Sequence, residues 1–261
     1  MKITKEFLDA IYARYHKAGT IEGPKGDPVQ FLHRFKDKRD IEIVGLIAAL
    51  FAYGRVEKII ENISGILKAA DNKPYEFVSA YTLAGGEKLF KDFYYRFNKK
   101  EELIFIFYLL NRIYKEHASM EDFFTGGGEA VYDILARLHD NILAHYPACG
   151  VRNTCGFKFL FTTPETGSAC KRINLFLKWM VRKDGIDRGI WTKIKPADLI
   201  IPLDTHIYNF SRKNGIIKRK AADWKTAMEI TKFLRIIDPK DPVKYDLSIC
   251  RYMMSGSPEI R

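Results

Sequence analysis

Hydrophobic side chains recur at helical spacing along almost the whole chain, and this periodicity is the feature that most limits the possible folds. In the first segment, for example, Phe7, Ile11, Tyr12 and Tyr15 share one helical face. Strand patterns are weak throughout, and the sequence contains neither an internal repeat nor a low-complexity tail. The sequence therefore predicts an all-α fold.

Turn and capping residues mark where the predicted helices begin. Asp27 and Pro28 form an N-cap with a first-turn proline, and Asp40 is predicted to cap a strongly apolar helix over 41–51. Residues 52–55 then break the helical pattern. Further helices are predicted near 56–70, 74–82, 87–96, 99–116, 119–124, 129–145, 157–161, 169–183, 204–213, 223–237 and 242–252.

The charge balance of the chain is strongly basic. Its 261 residues are 47% hydrophobic, enough for a proper core, and carry a formal net charge of +11 with a pI of about 9.3. A positive surface of this kind favours a polyanionic partner, nucleic acid first, although a merely soluble basic protein shares the composition. Charge alone leaves both readings open.

The cysteines and the apolar runs bear on metals and membranes. None of the four cysteines stands in a C-x-x-C pair, so no zinc or other metal site is predicted and the thiols are expected to be free in a reducing compartment. The charged amphipathic start does not resemble a signal peptide, and no apolar run approaches the ~20 residues of a membrane span. We expect a cytoplasmic protein without membrane contact.

The segment from Gly167 to Lys171 predicts a tight turn that opens into an amphipathic helix. Such a turn can aim backbone N–H groups at a DNA phosphate, and a lysine beside it becomes a nucleophile when burial or nearby cations favour its neutral amine. Arg172 is adjacent, and Lys178 and Arg182 are expected to continue a basic face. The plainer alternative is a lysine on a solvated helix face above an ordinary apolar core.

A second candidate follows in Pro202-Leu-Asp204-Thr-His206. Asp204 is predicted to be an N-cap, where free N–H groups and the helix dipole hold a carboxylate in its charged form. An ionised carboxylate there can stabilise positive charge that grows on a sugar, or accept a proton. For His206 we expect a structural hydrogen bond or a phosphate contact.

Other residues are candidates for gripping and reading nucleic acid. The cations that could neutralise phosphates are Arg55, Lys171, Arg172, Arg212, Lys213 and the run Lys218-Arg-Lys220. The aromatic residues that could line a base pocket or act as a wedge are Tyr53, Trp179, Trp191 and Tyr208. Each aromatic is equally a candidate for the hydrophobic core.

Five stretches of the sequence resemble the bacterial DUF2400 family, and the likeness covers nearly the whole chain. The matching stretches are 27–33, 46–56, 167–172, 176–182 and 238–246.

The hairpin at Gly167–Lys171 and the segment Pro202–His206 also resemble the helix–hairpin–helix DNA glycosylase superfamily, which includes endonuclease III. The resemblance implies a Schiff-base lysine at Lys171 and a catalytic aspartate at Asp204. It also implies DNA contacts by Gly167, Ser168, Ala169, Arg172, His206, Arg212 and Arg55. Ala169 stands where relatives have a second glycine, and 184–198 is an insertion. The four-cysteine iron–sulfur loop is absent, so no cofactor is expected.

The same resemblance implies an architecture and an activity. Residues 1–261 are expected to form one glycosylase-like unit, with helical subdomains at 40–150 and at 1–39 plus 151–261 flanking a cleft. The expected function is base excision from duplex DNA, on damaged purines such as 8-oxoguanine, with AP-lyase activity, by a monomer. Three alternatives stay open: a non-catalytic DNA- or RNA-binding protein, an enzyme acting on modified RNA or free nucleotides, and a purely structural helical protein.

Overall fold

The computed structural model describes residues 3–17, 19, 21–126, 130–150 and 154–256. These residues form α-helices, short 3₁₀ helices and one two-stranded hairpin, which confirms the predicted all-α class. Contacts within the chain define two compact units: a central unit, Glu22–Thr163, and a terminal unit, Met1–Ile21 with Pro164–Arg261. In the part of the chain that is described, no helix combines the length and the apolar character that crossing a bilayer requires.

The elements follow one another with short connections. The helices are α1 (Lys5–Tyr15), α2 (Lys38–Leu50), α3 (Val56–Ala69), α4 (Pro74–Ser79), α5 (Leu83–Leu89), α6 (Lys100–Glu116), α7 (Met120–Phe124), α8 (Val131–His145), α9 (Cys155–Leu160), α10 (Lys171–Val181), α11 (Thr205–Lys213), α12 (Trp224–Ile237) and α13 (Asp246–Met254). The two strands are β1 (Tyr94–Tyr95) and β2 (Asn98–Lys99). The 3₁₀ helices are Pro28–Arg34, Pro147–Cys149, Pro164–Thr166 and Pro196–Asp198.

Helix α2 is the buried centre of the central unit, as its apolar composition predicts. Every residue from Ile41 to Leu50 is buried. The predicted cap at Asp40 is wrong, because the helix begins a turn earlier and Asp37 accepts the N–H of Arg39 at 2.8 Å. The carboxylate of Asp40 instead accepts the N–H of Tyr75 at 2.8 Å and so caps the first turn of α4.

The helix predicted over 87–96 is also wrong in its second half. Helix α5 ends at Leu89, and β1 pairs with β2 in an antiparallel hairpin. Tyr95 and Asn98 are buried on one side of the hairpin, while Tyr94, Arg96, Phe97 and Lys99 are exposed. Four aromatic residues in 93–97 favour the extended backbone, and their packing outweighs the weak helical pattern.

In the terminal unit, α13 packs against both α1 and α11, and α10 is buried along most of its length. The apolar set predicted as core is confirmed, since Ile173, Phe176, Leu177 and Met180 are all buried. The three tryptophans of this unit, Trp179, Trp191 and Trp224, are also buried, at 2%, 3% and 7% exposure. The Trp191 ring meets Phe176 edge-on at 5.2 Å between centroids.

Candidate active site and nucleic-acid interface

Two residues with a left-handed backbone conformation shape the turn that precedes α10. Gly167 has φ +83° and is exposed, and a Cβ added there would meet nothing within 4 Å. Cys170, the N-cap of α10, has φ +48°, a backbone conformation that residues other than glycine rarely adopt. No side-chain hydrogen bond caps this end of the helix in the described structure. The partial positive charge at the start of a helix favours an anion.

The turn is fastened to the start of α12 through the backbone. The N–H of Trp224 donates to the Gly167 carbonyl at 2.9 Å, and Ser168 forms an isolated β-bridge with Asp223. The Ala169 carbonyl accepts a hydrogen bond at 3.0 Å from the amide of Asn174 in α10. The turn is therefore a fixed part of the terminal unit, positioned by two helices.

Lys171 and Arg172 occupy the first turn of α10, and both are half-buried. Their position is set by the turn, since α10 begins directly at Lys171. The structure thus places the candidate nucleophile at the positive end of a helix, beside the fixed turn.

Asp204 is the N-cap of α11, as predicted. One carboxylate oxygen accepts the N–H of Ile207 at 2.8 Å. The other accepts a hydrogen bond from the thiol of Cys250 on α13, with 3.6 Å between sulfur and oxygen. Two donors from two helices therefore fix the orientation of the carboxylate, which remains only half-buried.

Both candidate side chains, Lys171 and Asp204, influence the pKa of the Cys250 thiol. Burial raises the pKa of Cys250 well above its ordinary value, Asp246 and Asp204 raise it further, and Lys171 lowers it. The amine of Lys171 and the carboxylate of Asp204 thus both lie within electrostatic reach of one thiol on α13. Sequence reasoning missed Cys250, which it treated as a lone thiol; its four-residue spacing from Asp246 on a predicted helix was the available signal.

A buried ionic network lies behind this thiol and corrects the predicted basic face. Lys178 is 3% exposed, with its Nζ 3.2 Å from Asp246 and 3.5 Å from Asp187. Arg182 pairs with Asp187, with Asp184 at 2.8 Å and with Asp241 at 2.8 Å. Both cations are buried at the C-terminal end of α10. Asp184 and Asp187 come from the segment that follows the helix, and Asp241 and Asp246 come from the chain at and before the start of α13.

The network gives Asp246 an unusual titration. Burial raises its pKa to about 6, against the pull of Lys178, and the neighbouring charges of Asp204 and Asp187 contribute to the rise. The folded protein therefore keeps a proton on Asp246 over a pH range in which the unfolded chain, with a pKa near 3.8, has lost it. For this group, folding stability decreases as pH rises from about 4 to about 6.

We expect the Asp246→Asn variant to lose this dependence. Asparagine carries no charge at any pH, so the stability of the variant relative to the natural protein should improve as pH rises from about 4 to about 6. Urea unfolding of both proteins at a series of pH values measures the difference. A difference that stays constant over that range would contradict the assignment.

The predicted aromatic and basic residues of α11 hold a loop in place. The Tyr208 hydroxyl donates to the carbonyls of Arg219, at 3.2 Å, and Lys220, at 2.8 Å. The Arg212 guanidinium donates to the carbonyls of Lys218 and Arg219. These bonds order the basic run 218–220 and leave the Lys218 and Lys220 side chains at the surface.

The same loop is tied to the turn at Gly167. Arg219 pairs with Asp223 at 2.5 Å, and Asp223 is the residue bridged to Ser168. The turn at Gly167, the basic run 218–220 and the start of α12 therefore form one connected surface of the terminal unit. His206, in the first turn of α11, is half-buried.

Two predicted residues lie in the central unit. Arg55 is exposed and precedes α3, without a side-chain cap on that helix. The Tyr53 ring is half-buried, and its hydroxyl donates to the Tyr95 carbonyl at 3.2 Å and to the Asn98 side chain. Tyr95 in turn donates to the Tyr53 carbonyl at 2.6 Å. Tyr53 is thus bonded to the β1–β2 hairpin, a partner that the sequence did not predict.

Comparisons with known proteins agree with the first of the two resemblances. Neither the search of curated proteins nor the search of solved structures returns a match. The profile of the family described as "Protein of unknown function (DUF2400)" matches residues 27–255. This match spans most of both units and includes the turn, Lys171, Asp204 and Cys250. The chain is therefore a member of the DUF2400 family.

Proposed function

We propose that the protein is a DNA glycosylase with AP-lyase activity that excises damaged purines such as 8-oxoguanine. The observation that carries the proposal is the oriented carboxylate of Asp204, held by donors from α11 and α13, one of them the Cys250 thiol, whose pKa the charge of Lys171 lowers. An amine nucleophile and an oriented carboxylate are the pair of groups that glycosylase/lyase chemistry requires.

The proposed reaction uses each group once. The Lys171 amine attacks C1′ of the damaged nucleotide as the bond from C1′ to the base breaks, and the base leaves with the electron pair. Asp204 stabilises the positive charge that develops on the sugar. A proton passes from the attacking nitrogen to O4′ as the sugar opens to a protonated imine with Lys171, and loss of a C2′ proton to water then eliminates the 3′ phosphate and cleaves the strand. Hydrolysis of the imine then frees the lysine.

The surface around Lys171 supports DNA as the partner. The start of α10 carries the partial positive charge of a helix N-terminus, and the ordered run Lys218-Arg-Lys220 adds positive charge on the same connected surface. Cytoplasmic location and a monomeric state are part of this proposal.

Borohydride trapping tests the proposal directly. Borohydride reduces an imine between the protein and the sugar to a stable covalent bond, so incubation with DNA that contains 8-oxoguanine or an abasic site should give a complex that survives denaturing electrophoresis. A panel of lesions identifies the substrate. Failure of the folded protein to trap any member of the panel would exclude the lyase chemistry.

We expect Asp204→Asn to separate the structural role of this residue from the chemical one. Asparagine is as good an N-cap as aspartate, so thermal unfolding should be nearly unchanged. Loss of the negative charge should slow base excision by roughly a hundredfold to a thousandfold in single-turnover assays. Thr4→Asn, which changes the N-cap of α1, is the matched control and should not alter the excision rate.

A non-catalytic nucleic-acid-binding protein is the second candidate, and the basic surface favours it equally. This alternative predicts salt-sensitive DNA binding without any product, and full tolerance of Asp204→Asn in a binding assay.

A further inference from the structure

The β1–β2 hairpin presents an aromatic ring to solvent at its tip. Phe97 is 58% exposed, and Tyr94 on the same hairpin is 67% exposed. Large aromatic side chains are usually buried, so two of them exposed within four residues need an explanation. Neither residue belongs to the site around Lys171, which lies in the other unit.

A rigid frame holds the tip in place. The Phe97 ring lies nearly parallel to Tyr53, with 6.4 Å between centroids, and packs on Phe159 at 5.2 Å. Helix α9 approaches the hairpin so closely that a Cβ on Gly156 would lie 2.7 Å from the Phe97 carbonyl. The exposed face of the Phe97 ring is therefore presented by a fixed support.

The tip also carries backbone strain at an exposed cation. The hairpin loop consists of Arg96 and Phe97, and Arg96 has φ +54°, a position where such loops normally place glycine. Strain of this kind persists where the surrounding structure fixes it, and it is concentrated at functional sites. The Arg96 guanidinium lies 5.7 Å from the Phe97 ring centroid and packs over Gly54.

The charge around the tip is positive. Residues 91–100 contain four cations, Lys91, Arg96, Lys99 and Lys100, and one anion, Asp92. Lys91 pairs with Asp92, and Lys100 pairs with Glu87. In the described structure Arg96 and Lys99 take part in no ion pair, so their charges are available to an anionic partner.

A groove of about 450 Å³ runs beside the hairpin, between α3 and β1. Its walls include Phe93, Tyr94 and Tyr95, and Lys58 lies at its edge. Asn62 also lines it. Flat aromatic walls suit a planar heterocycle.

We propose that this hairpin is a second nucleic-acid contact, one that binds an unpaired stretch of DNA by stacking a base on Phe97, pairing Arg96 with a phosphate and admitting a neighbouring base to the groove. Exposed aromatic rings and cations that take part in no ion pair are the combination that binds single strands. The inference rests on the proposed function for its partner, nucleic acid, and is independent of the chemistry at Lys171.

Fluorescence anisotropy with a short, undamaged, fluorescein-labelled single-stranded DNA tests this contact. Phe97→Ala should weaken binding about tenfold, the loss of one base–ring stack. Arg96→Gln should reduce the slope of log affinity against log salt by about 0.7, the loss of one phosphate contact. Tyr132→Ala, which removes a 40% exposed ring from α8 of the same unit, is the matched control and should bind as the natural protein does.

The Arg96→Gly variant separates a binding role of the hairpin from a purely structural one, because the two roles predict different changes in stability and in affinity. Glycine relieves the strain at φ +54°, so the melting temperature should be unchanged or higher while affinity for the single strand falls. Unchanged affinity in both Phe97→Ala and Arg96→Gly would overturn the inference, as would absence of binding by the natural protein at low salt. If those variants bind normally while borohydride trapping succeeds, the hairpin contact is refuted and the proposed function stands.

Discussion

Lys171→Gln is expected to abolish the borohydride-trapped complex and the strand cleavage that follows from it. Glutamine keeps the length and polarity of the side chain but has no amine, so no imine can form with the sugar. Lys171 is half-buried in the first turn of a helix whose start is fixed by backbone bonds, so the substitution should leave the fold unchanged. Denaturing electrophoresis after borohydride treatment measures the complex, and circular dichroism verifies the fold.

The matched control is Lys232→Gln, which removes an exposed lysine from α12 of the same unit. It should trap DNA as the natural protein does. A Lys171→Gln variant that still traps DNA would reject this lysine as the nucleophile. If base release survives in Lys171→Gln but is lost in Asp204→Asn, the enzyme is a hydrolytic glycosylase in which water takes the place of the amine.

Arg182→Leu is expected to have the largest effect on stability. The guanidinium is 2% exposed and faces Asp184, Asp187 and Asp241, so its removal leaves several carboxylates buried with too little positive charge. Breaking one side of a buried pair costs about 3–5 kcal/mol, a large share of the stability of an ordinary domain. Urea unfolding followed by circular dichroism should show this loss, or the variant should fail to fold at all.

Two further variants make the result specific. Arg182→Lys keeps the charge but loses the planar fork, so it should fall between the natural protein and Arg182→Leu. Lys5→Leu removes an exposed ion pair with Asp9 on α1 of the same unit, and the urea midpoint should stay where it is. Equal stability of Arg182→Leu and the natural protein would mean that the network contributes nothing to folding.

Local sequence signals were sufficient for most of the helices and for one cap of the candidate site. Asp204 stands before an amphipathic segment, and its role as the N-cap of α11 follows from short-range chemistry alone. The apolar stripe of α10 likewise predicts its own burial. Asp40 shows the limit of this reasoning, because Asp37 and Asp40 are both competent caps and only tertiary packing assigns Asp40 to α4.

The parts that the sequence did not predict depend on contacts between distant residues. Lys178 and Arg182 have the periodicity of a solvated face, and only the return of Asp184, Asp187, Asp241 and Asp246 to α10 makes them interior residues. Cys250 gained its role in the same way, since its partner Asp204 lies on another helix. Periodicity identifies which residues share a helix face, but it does not identify which distant residues pack against that face.

The terminal unit is built from both ends of the described chain, and this has a consequence for its synthesis. Tyr245 donates to Asp9 at 2.7 Å, and Arg251 donates to the Tyr15 carbonyl at 2.8 Å, so α1 packs against α13. Helix α1 leaves the ribosome before α13 and must wait for it, and Cys250 arrives with α13. The central unit can fold while translation continues, whereas the carboxylate of Asp204 acquires its second donor only after α13 has been made. A nascent chain stalled before α13 would therefore carry Lys171 and Asp204 without the contact that orients them.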